Sequence, residues 1–494
     1  MKNILKLNIV LCIILFGSCN DWLDVNTDPN NPSQVSLDLI LPNAQMQIAS
    51  AMAGDYALLG GLWSQHWTQS HIASQYKDID SYDLTDKDLE IAWTEMFSDG
   101  LVDFEEIKRQ ASASGNWNAY LQAVCMQTYG FQILADFYDK IPYTEALKGE
   151  SLSKPKWDDG EVVYDGMIAA LNEALSKDFS AATNTALTTD FVFGGTNRTA
   201  QINSWVKFAN TLKLKIYLRQ TESARKADAL VKIKDLLATN NFLQEAATID
   251  VFIDEANRSN PLYENNVRQL NVATNLRASF TFLSFLQLHA DPRLDAYFTT
   301  GATGHFALAQ GDFNELTSVT PGDKTSKANF SPTTPVYLFS LDEIHFMLAE
   351  ANLRAGNSSD ESNYYDGVKA AFNKFGLTAP QSLLDGDYKY PSGGTFDQKL
   401  EAIIVQKWAG SVNQGHESYF DHNRTGYPRI SSVPAYNPNG EVNPSYIPGQ
   451  FTYSIQGVTG GAFPKRLIYP DISRRVNPNT PAFTPITTKV WWAK

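Results

Sequence analysis

The 494-residue chain has little cysteine, little charge and no long apolar run beyond its first 18 residues. Its three cysteines, Cys12, Cys19 and Cys125, are too few for a disulfide framework within one chain. Charged residues make up 19% against 43% hydrophobic residues, which excludes a disordered or coiled-coil protein. Lys and Arg total 40 against 54 Asp and Glu, and the net charge of −14 argues against a nucleic-acid partner. We therefore expect a large folded body with no nucleic-acid ligand.

Catalytic motifs are also missing. The chain has no Gly-x-Ser-x-Gly turn, no phosphate loop, no Gly-x-Gly-x-x-Gly fingerprint and no His-Glu-x-x-His zinc helix. His416 and His422 flank two acids, but a spacing of six places the two imidazoles on different helix faces. We therefore predict no enzyme activity, no metal site and no cofactor. A carboxylate pair for glycoside cleavage stays open as an alternative, because only three-dimensional separation identifies one.

The first residues have the pattern of a secretory signal. Lys2 and Lys6 precede an apolar run over residues 7–16, and small residues lead to Cys19. About ten apolar residues are too few to span a bilayer as a helix. Phe-Gly-Ser-Cys resembles a bacterial lipobox, so residues 1–18 are predicted to be a lipoprotein signal peptide and Cys19 the acylated residue. A plain cleaved signal is the alternative. Residues 19–33 are then predicted to be a polar tether that holds the body off the membrane.

Most of the remaining chain has helical periodicity. Apolar residues recur at three-and-four spacing, which predicts helices over 85–113, 117–135, 161–177, 203–221, 224–239, 340–355, 361–375 and 396–410. Ser340 with Glu343 and Thr395 with Gln398 are predicted capping boxes, and Gly356 a C-terminal stop. The fold class is therefore mainly α, a tetratricopeptide-like helix-pair scaffold with long irregular loops.

Two stretches have another character. Residues 299–336 and 411–489 are rich in Gly, Pro, Asn, Thr and Tyr, with little periodicity. Long loops on a rigid helical scaffold are typical of binding surfaces. No composition break appears in the body, so residues 34–494 are predicted to be one α-helical domain with a loop-rich C-terminal part.

Several motifs, in order along the chain, resemble the SusD/RagB family. They are Asp21–Asn26, Ala135–Tyr143, Trp205–Arg219, Asp291–Leu294, Met347–Gly356, Glu417–Arg429 and Pro464–Pro470 with Asn477. The tether with Asp-x-Asn-x-Asp-Pro is similar to the SusD-like branch. Glu350, Arg424 and Arg466 in these motifs are predicted to hold buried polar networks or turns.

The resemblance implies a function. Members are surface-exposed outer-membrane lipoproteins of Bacteroidetes that deliver a nutrient, commonly a glycan, to a SusC-like TonB-dependent transporter. They bind without cutting. Such a chain would contact outer-membrane lipid through acylated Cys19. A peptide-binding, RagB-like lid of the transporter and a surface glycoside hydrolase are the alternatives.

Candidate ligand contacts come from residues 61–82, where aromatic rings stand among Ser, Gln and His without a clean apolar period. Flat rings beside amides suit stacking on sugars and hydrogen bonds to hydroxyl groups. Trp63 and Trp67 at i, i+4 fit one face of a core helix equally well. The predicted ligand-binding residues are Trp63, His66, Trp67, Gln69, Tyr76 and Tyr82, with Asn275, Arg277 and Tyr436 as loop candidates.

Overall fold

Periodic apolar residues form the helices of the first half of the chain, and their apolar stripes face one another. The computed structural model describes residues 35–270, 275–301, 304–314, 324–437 and 440–494. The predicted signal peptide, Cys19 and the whole predicted tether over residues 19–33 lie outside them. The helices here are α1 Leu37–Ala51, α2 Ala57–Trp63, α3 Lys77–Asp80, α4 Glu90–Thr94, α5 Val102–Ser114, α6 Trp117–Tyr138, α7 Gly160–Leu175, α8 Arg198–Arg219 and α9 Lys226–Thr239.

The second half has further helices. They are α10 Pro261–Tyr263, α11 Phe280–Leu288, α12 Arg293–Tyr297, α13 Leu341–Ala355, α14 Asp360–Asn373, α15 Gln381–Asp385, α16 Phe396–Gly410, α17 Gly415–Thr425 and α18 Asp471–Val476. Helices α5 and α6 pack as a pair, α8 packs on α9, and α13 packs on α14 and α16. The predicted mainly α fold of helix pairs is confirmed.

Within the described residues, three π-helical segments interrupt the helices. They are π1 Met52–Tyr56, π2 Glu95–Leu101 and π3 Glu264–Arg268. The single helix predicted over 85–113 is therefore wrong in detail, since α4, π2 and α5 share that stretch. A π turn adds a residue to the ladder without changing the apolar composition, so periodicity alone does not reveal it.

Strands are few and short. The strands are β1 Trp67–Gln69, β2 Ala247–Ile249, β3 Leu276–Ala278, β4 Phe298–Thr299, β5 Lys327–Ala328 and β6 Val336–Phe339. One antiparallel sheet has the order β1-β3-β5-β4, and β2 pairs with β6. The first sheet joins segments from both sides of α11 and so fixes part of the predicted loop stretch 299–336 to the core.

Of the two predicted capping boxes, the one at Thr395 is confirmed and the one at Ser340 is wrong. Thr395 and Gln398 form the reciprocal bonds of a capping box on α16, and Gly356 ends α13 in the left-handed region. Ser340 makes no capping bond, and its buried hydroxyl has no partner in the described part of the chain. Glu343 is instead 1% exposed and ion-paired with Lys215 at 2.8 Å. Its carboxylate therefore does not cap the backbone N–H of Ser340.

Helix α17 lies in the stretch predicted to be irregular, which is a correction. All eleven of its residues are buried although most are polar, so it carries no apolar stripe. Its cap at Gly426 takes the left-handed conformation that glycine tolerates. Cys125 is buried in α6 with a free thiol.

A buried ion cluster joins α17 to α6, α8, α13 and α16. Arg219 contacts Glu417 at 2.8 Å and Asp136 at 3.0 Å, while Lys407 contacts Asp421 at 2.8 Å. The members are Asp136, Lys215, Arg219, Glu343, Glu350, Arg354, Lys407, Glu417, Asp421 and Arg424. The buried networks predicted for Glu350 and Arg424 are thus confirmed, and the two acids of the 416–422 group serve as ion-pair partners.

Helices α2 and α17 approach each other through glycines. A Cβ atom on Gly415 would lie 2.2 Å from the backbone nitrogen of Gly61, and one on Gly60 would lie 2.1 Å from that of His416. Real Cβ atoms do not approach a backbone so closely, so a larger residue would push the helices apart.

We expect Gly415→Ala to lower the free energy of unfolding by about 2 kcal/mol, because the added methyl group meets rigid backbone. Chemical denaturation measures this loss. Gly393→Ala is the control, since a Cβ there meets nothing within 4 Å, and we expect a change below about 0.5 kcal/mol. Equal stability of the two variants would contradict the close packing.

Candidate functional site

The structure places all nine predicted ligand-binding side chains in its interior. None exposes more than 8% of its surface. The nine are Trp63, His66, Trp67, Gln69, Tyr76, Tyr82, Asn275, Arg277 and Tyr436. They occupy several neighbourhoods instead of one site.

Strands β1 and β3 bring three of the polar candidates together. Arg277 pairs with Thr68 across the strands, and Gln69 Nε2 lies 3.4 Å from Asn275 Oδ1. Tyr436 lies elsewhere, in a small apolar cluster against Phe280. Tyr82 packs in another place again, beside Tyr453 and Phe463.

Trp63, His66 and Trp67 are core residues in this structure. The Trp63 indole N–H donates to the Ile79 carbonyl oxygen at 3.0 Å. The His66 ring stacks on Trp408 with 5.7 Å between centroids, and burial lowers the pKa of His66 to about 3. The core covers all three rings in this structure, and their contact with a ligand stays a prediction.

Gln69 supports the loop that carries Tyr76. Its Oε1 accepts from the Tyr76 backbone N–H at 2.9 Å, and its Nε2 donates to the carbonyl oxygens of Ser70 and Ala73 at 2.9 and 3.0 Å. This buried amide fixes the chain between β1 and α3. It thereby positions Tyr76, the member of the nine that lines a large cavity.

That cavity has a volume of about 810 Å³. Its walls come from α1, π1, the loop before α3, π2, and the segment from Val251 to Leu270. Clefts of this size take ligands of several sugar rings or a short peptide. We call it the π cavity, because all three π-helical segments contribute to its lining.

Each π-helical segment supplies a polar side chain to the π cavity. Asp55 comes from π1, Glu95 from π2, and Glu264 and Asn265 from π3. The wider turn of a π segment redirects side chains and is frequent at functional sites. The convergence of three such segments on one cavity makes it the candidate site.

The carboxylates of the π cavity have different partners. Asn265 Nδ2 donates to Asp55 Oδ1 at 2.9 Å, while Glu264 accepts from the Ser259 hydroxyl and lies 3.4 Å from Arg268. Burial raises the pKa of Asp55. Burial, followed by the charges of Asp55 and Asp99, also raises the pKa of Glu95. The lining therefore holds three acidic side chains, Asp55, Glu95 and Glu264, against one basic side chain, Arg258.

Rings and amides complete the lining. The aromatic members are Tyr76, Phe191 and Phe252, and the amides include Gln75, Asn257 and Gln269. Aromatic faces suit the apolar faces of sugar rings, and amides both donate to and accept from hydroxyl groups. The combination matches the chemistry that binds an oligosaccharide.

A second cavity of about 390 Å³ lies between α11, α16 and the loop 447–450. Its polar rim is largely satisfied internally, because Arg429 forms a double ion pair with Glu401 and His289 contacts Asp387 at 2.9 Å. These pairs leave fewer open groups for a ligand than the π cavity does.

A family described as "SusD-like_2: Starch-binding associating with outer membrane" matches residues 29–454. This chain belongs to that SusD-like family. No curated protein sequence matches it significantly.

Solved structures of SusD homologs share the SusD-like fold. One from Bacteroides uniformis is 22% identical, with a TM-score of 0.71, 92% of this chain covered and 99% of that one. A chitin-binding protein is 23% identical, with a TM-score of 0.72 and coverage of 92% and 100%. A chitin-binding SusD homolog from Flavobacterium johnsoniae is 18% identical, with a TM-score of 0.71 and coverage of 92% and 98%. At these identities the likeness establishes the fold.

Among the described residues of this SusD-like chain, no helix is both long and apolar enough to span a bilayer. Within the same residues, no three His, Cys, Asp or Glu side chains are grouped to hold a metal ion.

Sequence reasoning missed most of the cavity lining of this SusD-like chain. Asp55 and Glu95 are two of 54 acids, and nothing in their local pattern marks them. Phe191 and Phe252 lie in segments without periodicity, and their approach to Tyr76 depends on tertiary packing. Only Tyr76 carried a signal, as an aromatic ring within the polar, non-periodic segment 61–82.

Proposed function

We propose that this SusD-like chain is an outer-membrane lipoprotein, anchored through acylated Cys19, that binds a glycan in the π cavity. It hands the glycan to a SusC-like TonB-dependent transporter without cleaving it. The observation that carries the proposal is the convergence of three π segments, three aromatic rings and several amides on one 810 Å³ cavity. The family description, starch-binding and outer-membrane associated, supports it.

Two neighbours point to the first ligands to test. Both are described as chitin-binding, and the family description names starch. Oligomers of N-acetylglucosamine and of glucose present flat apolar ring faces edged by hydroxyl groups. These suit Tyr76 and Phe252 as platforms and Asn257 and Gln269 as hydrogen-bonding partners.

We expect Tyr76→Ala to weaken glycan binding about tenfold, because a stacked ring contributes about 1 kcal/mol or more beyond its hydrogen bonds. Isothermal titration of the chain from residue 20, with N-acetylglucosamine and glucose oligomers, measures the affinity. Phe483→Ala is the matched control, since Phe483 is 61% exposed and does not line the π cavity. Its affinity should equal that of the wild type.

The same samples test the alternatives. Release of reducing ends would contradict the non-catalytic proposal and favour a glycoside hydrolase. Binding of short peptides with no binding of any glycan would favour the RagB-like lid. Glycan binding that Tyr76→Ala leaves unchanged would place the site outside the π cavity. Co-purification of a barrel transporter with the lipidated chain tests the partner.

A further inference from the structure

The charges in the π cavity are not balanced. Asp55, Glu95 and Glu264 are its acidic members, and Arg258 is the basic residue of the lining. Two of these charges are neutralised by neighbours: Glu264 lies 3.4 Å from Arg268, and Arg258 contacts Glu255 at 2.8 Å. Asp55 and Glu95 remain without a cation among the described residues.

Glu95 is the more open of the two acids. Asp55 already accepts a hydrogen bond from Asn265, whereas Glu95 has no hydrogen bond or ion pair within the part of the chain that the structure describes. It is partly exposed, on the π2 segment whose other acid, Asp99, adds a like charge. An unpaired carboxylate beside two other acids attracts a cationic ligand and repels an anionic one.

A metal ion does not fit this arrangement. No group of three or more metal-binding side chains occurs in the described ranges, and a cavity of 810 Å³ is far larger than one hydrated ion needs. The rings of Tyr76, Phe191 and Phe252 in the same walls match a ligand with ring faces. The cationic group that these carboxylates attract therefore belongs to a ligand with sugar rings. An amino sugar has both features.

Building on the proposed function, we infer that the π cavity prefers glycans with protonated amino groups, such as glucosamine oligomers, to neutral glycans, and excludes glycans that carry carboxylate or sulfate groups. Glu95 determines this preference through its unpaired charge. A lysine-rich peptide presents the same cation without the sugar ring and is a separate outcome of the test.

The test is isothermal titration of the chain from residue 20 with three hexamers: glucosamine, N-acetylglucosamine and galacturonic acid. At about pH 6 the glucosamine amine is protonated and the carboxylates of the galacturonic acid hexamer are ionised. We expect glucosamine hexamer to bind about tenfold tighter than N-acetylglucosamine hexamer at low salt, and galacturonic acid hexamer not to bind. The preference should fall at about 0.5 M NaCl, because salt screens a partly exposed charge.

The variant Glu95→Gln keeps the size of the side chain and removes its charge. We expect it to reduce the glucosamine preference to less than about threefold and to leave the affinity for N-acetylglucosamine hexamer unchanged. Glu173→Gln, which removes the same charge from α7 outside the π cavity, should retain the wild-type preference.

Each outcome has one meaning. Equal affinity for the neutral and amino hexamers, or tight binding of galacturonic acid, overturns the charge inference and leaves glycan binding intact. Tighter binding of a lysine tripeptide than of glucosamine hexamer overturns it in favour of peptides. Failure of all three hexamers and of the glucose oligomers as well overturns the proposed function itself.

Discussion

Replacing Arg219 by Met is expected to lower the free energy of unfolding by about 3–5 kcal/mol. The guanidinium of Arg219 contacts Asp136, Glu417 and Asp421 at 3.0, 2.8 and 3.4 Å, and its side chain is 3% exposed. Met fills much of the volume but leaves three buried carboxylates with less positive charge. Burial alone raises the pKa of Glu417, and the charges of Lys215 and Arg219 outweigh it and lower that pKa well below its usual value.

Denaturant unfolding followed by circular dichroism measures the loss. Arg225→Met is the control, because Arg225 contacts Asp165 at 2.6 Å in a partly exposed pair. Exposed pairs contribute less than about 1 kcal/mol. A loss for Arg219→Met no larger than the loss for Arg225→Met would show that the buried ion cluster does not hold the helices together.

The second large effect concerns pH. Burial lowers the pKa of His66 and His422 to about 3 and that of His416 to about 4, against 6.5 for an ordinary histidine. The unfolded chain therefore binds protons below pH 6.5 that the folded chain does not. Stability from these groups is complete above pH 6.5 and falls as the pH drops toward 4, by about 1.4 kcal/mol per pH unit for each histidine.

One buried carboxylate changes the pH dependence of the unfolding free energy in the opposite direction. Burial raises the pKa of Asp80 to about 6, which opposes the histidines between pH 3.8 and 6 because the folded chain then binds the extra proton. The contribution of one histidine is therefore measured by replacing that histidine alone. His422→Asn keeps a donor for the Pro428 carbonyl, which His422 Nδ1 contacts at 3.0 Å.

We expect His422→Asn to reduce the pH dependence of the unfolding free energy by about 1.4 kcal/mol per pH unit between pH 4 and 6. Urea unfolding at several pH values measures the slope. Ile233→Val is the control, because Ile233 is fully buried in α9 and does not titrate. It should lower stability equally at every pH, and an unchanged slope for His422→Asn would contradict the buried neutral histidine.

Apolar periodicity was sufficient to predict the helix pairs. Helix α6 begins at Trp117, as its spacing predicts, and α13 ends at Ala355 before Gly356. Helix α17 was missed because its buried face is made of ions and amides, which no apolar pattern reports. Polar side chains paired inside the core look like surface residues in a sequence.

Buried polar side chains also explain why the predicted ligand contacts lie in the core. The segment around His66 and Gln69 lacks an apolar period, which suggested exposure, yet its polar groups are satisfied inside the core. The π cavity escaped prediction because Asp55, Glu95 and Asn265 come from distant segments that meet only after folding. What these residues share is their position on π-helical segments, and amino-acid composition does not reveal such segments.

The glycine contact between α2 and α17 determines when this protein can complete its fold. Beside it, the Trp408 indole N–H donates to the Ser64 carbonyl oxygen at 2.8 Å across 344 residues of sequence. Contacts this distant along the chain form slowly, because a very large loop must close first. A chain that emerges N-terminus first from a ribosome exposes the apolar face of α2 until residues beyond 415 follow, whereas α1 packs on π2, α5 and α6 soon after it. A chaperone that shields α2 during synthesis would therefore raise the yield of folded protein more than one that acts on α13 and α14, which pack mainly on each other.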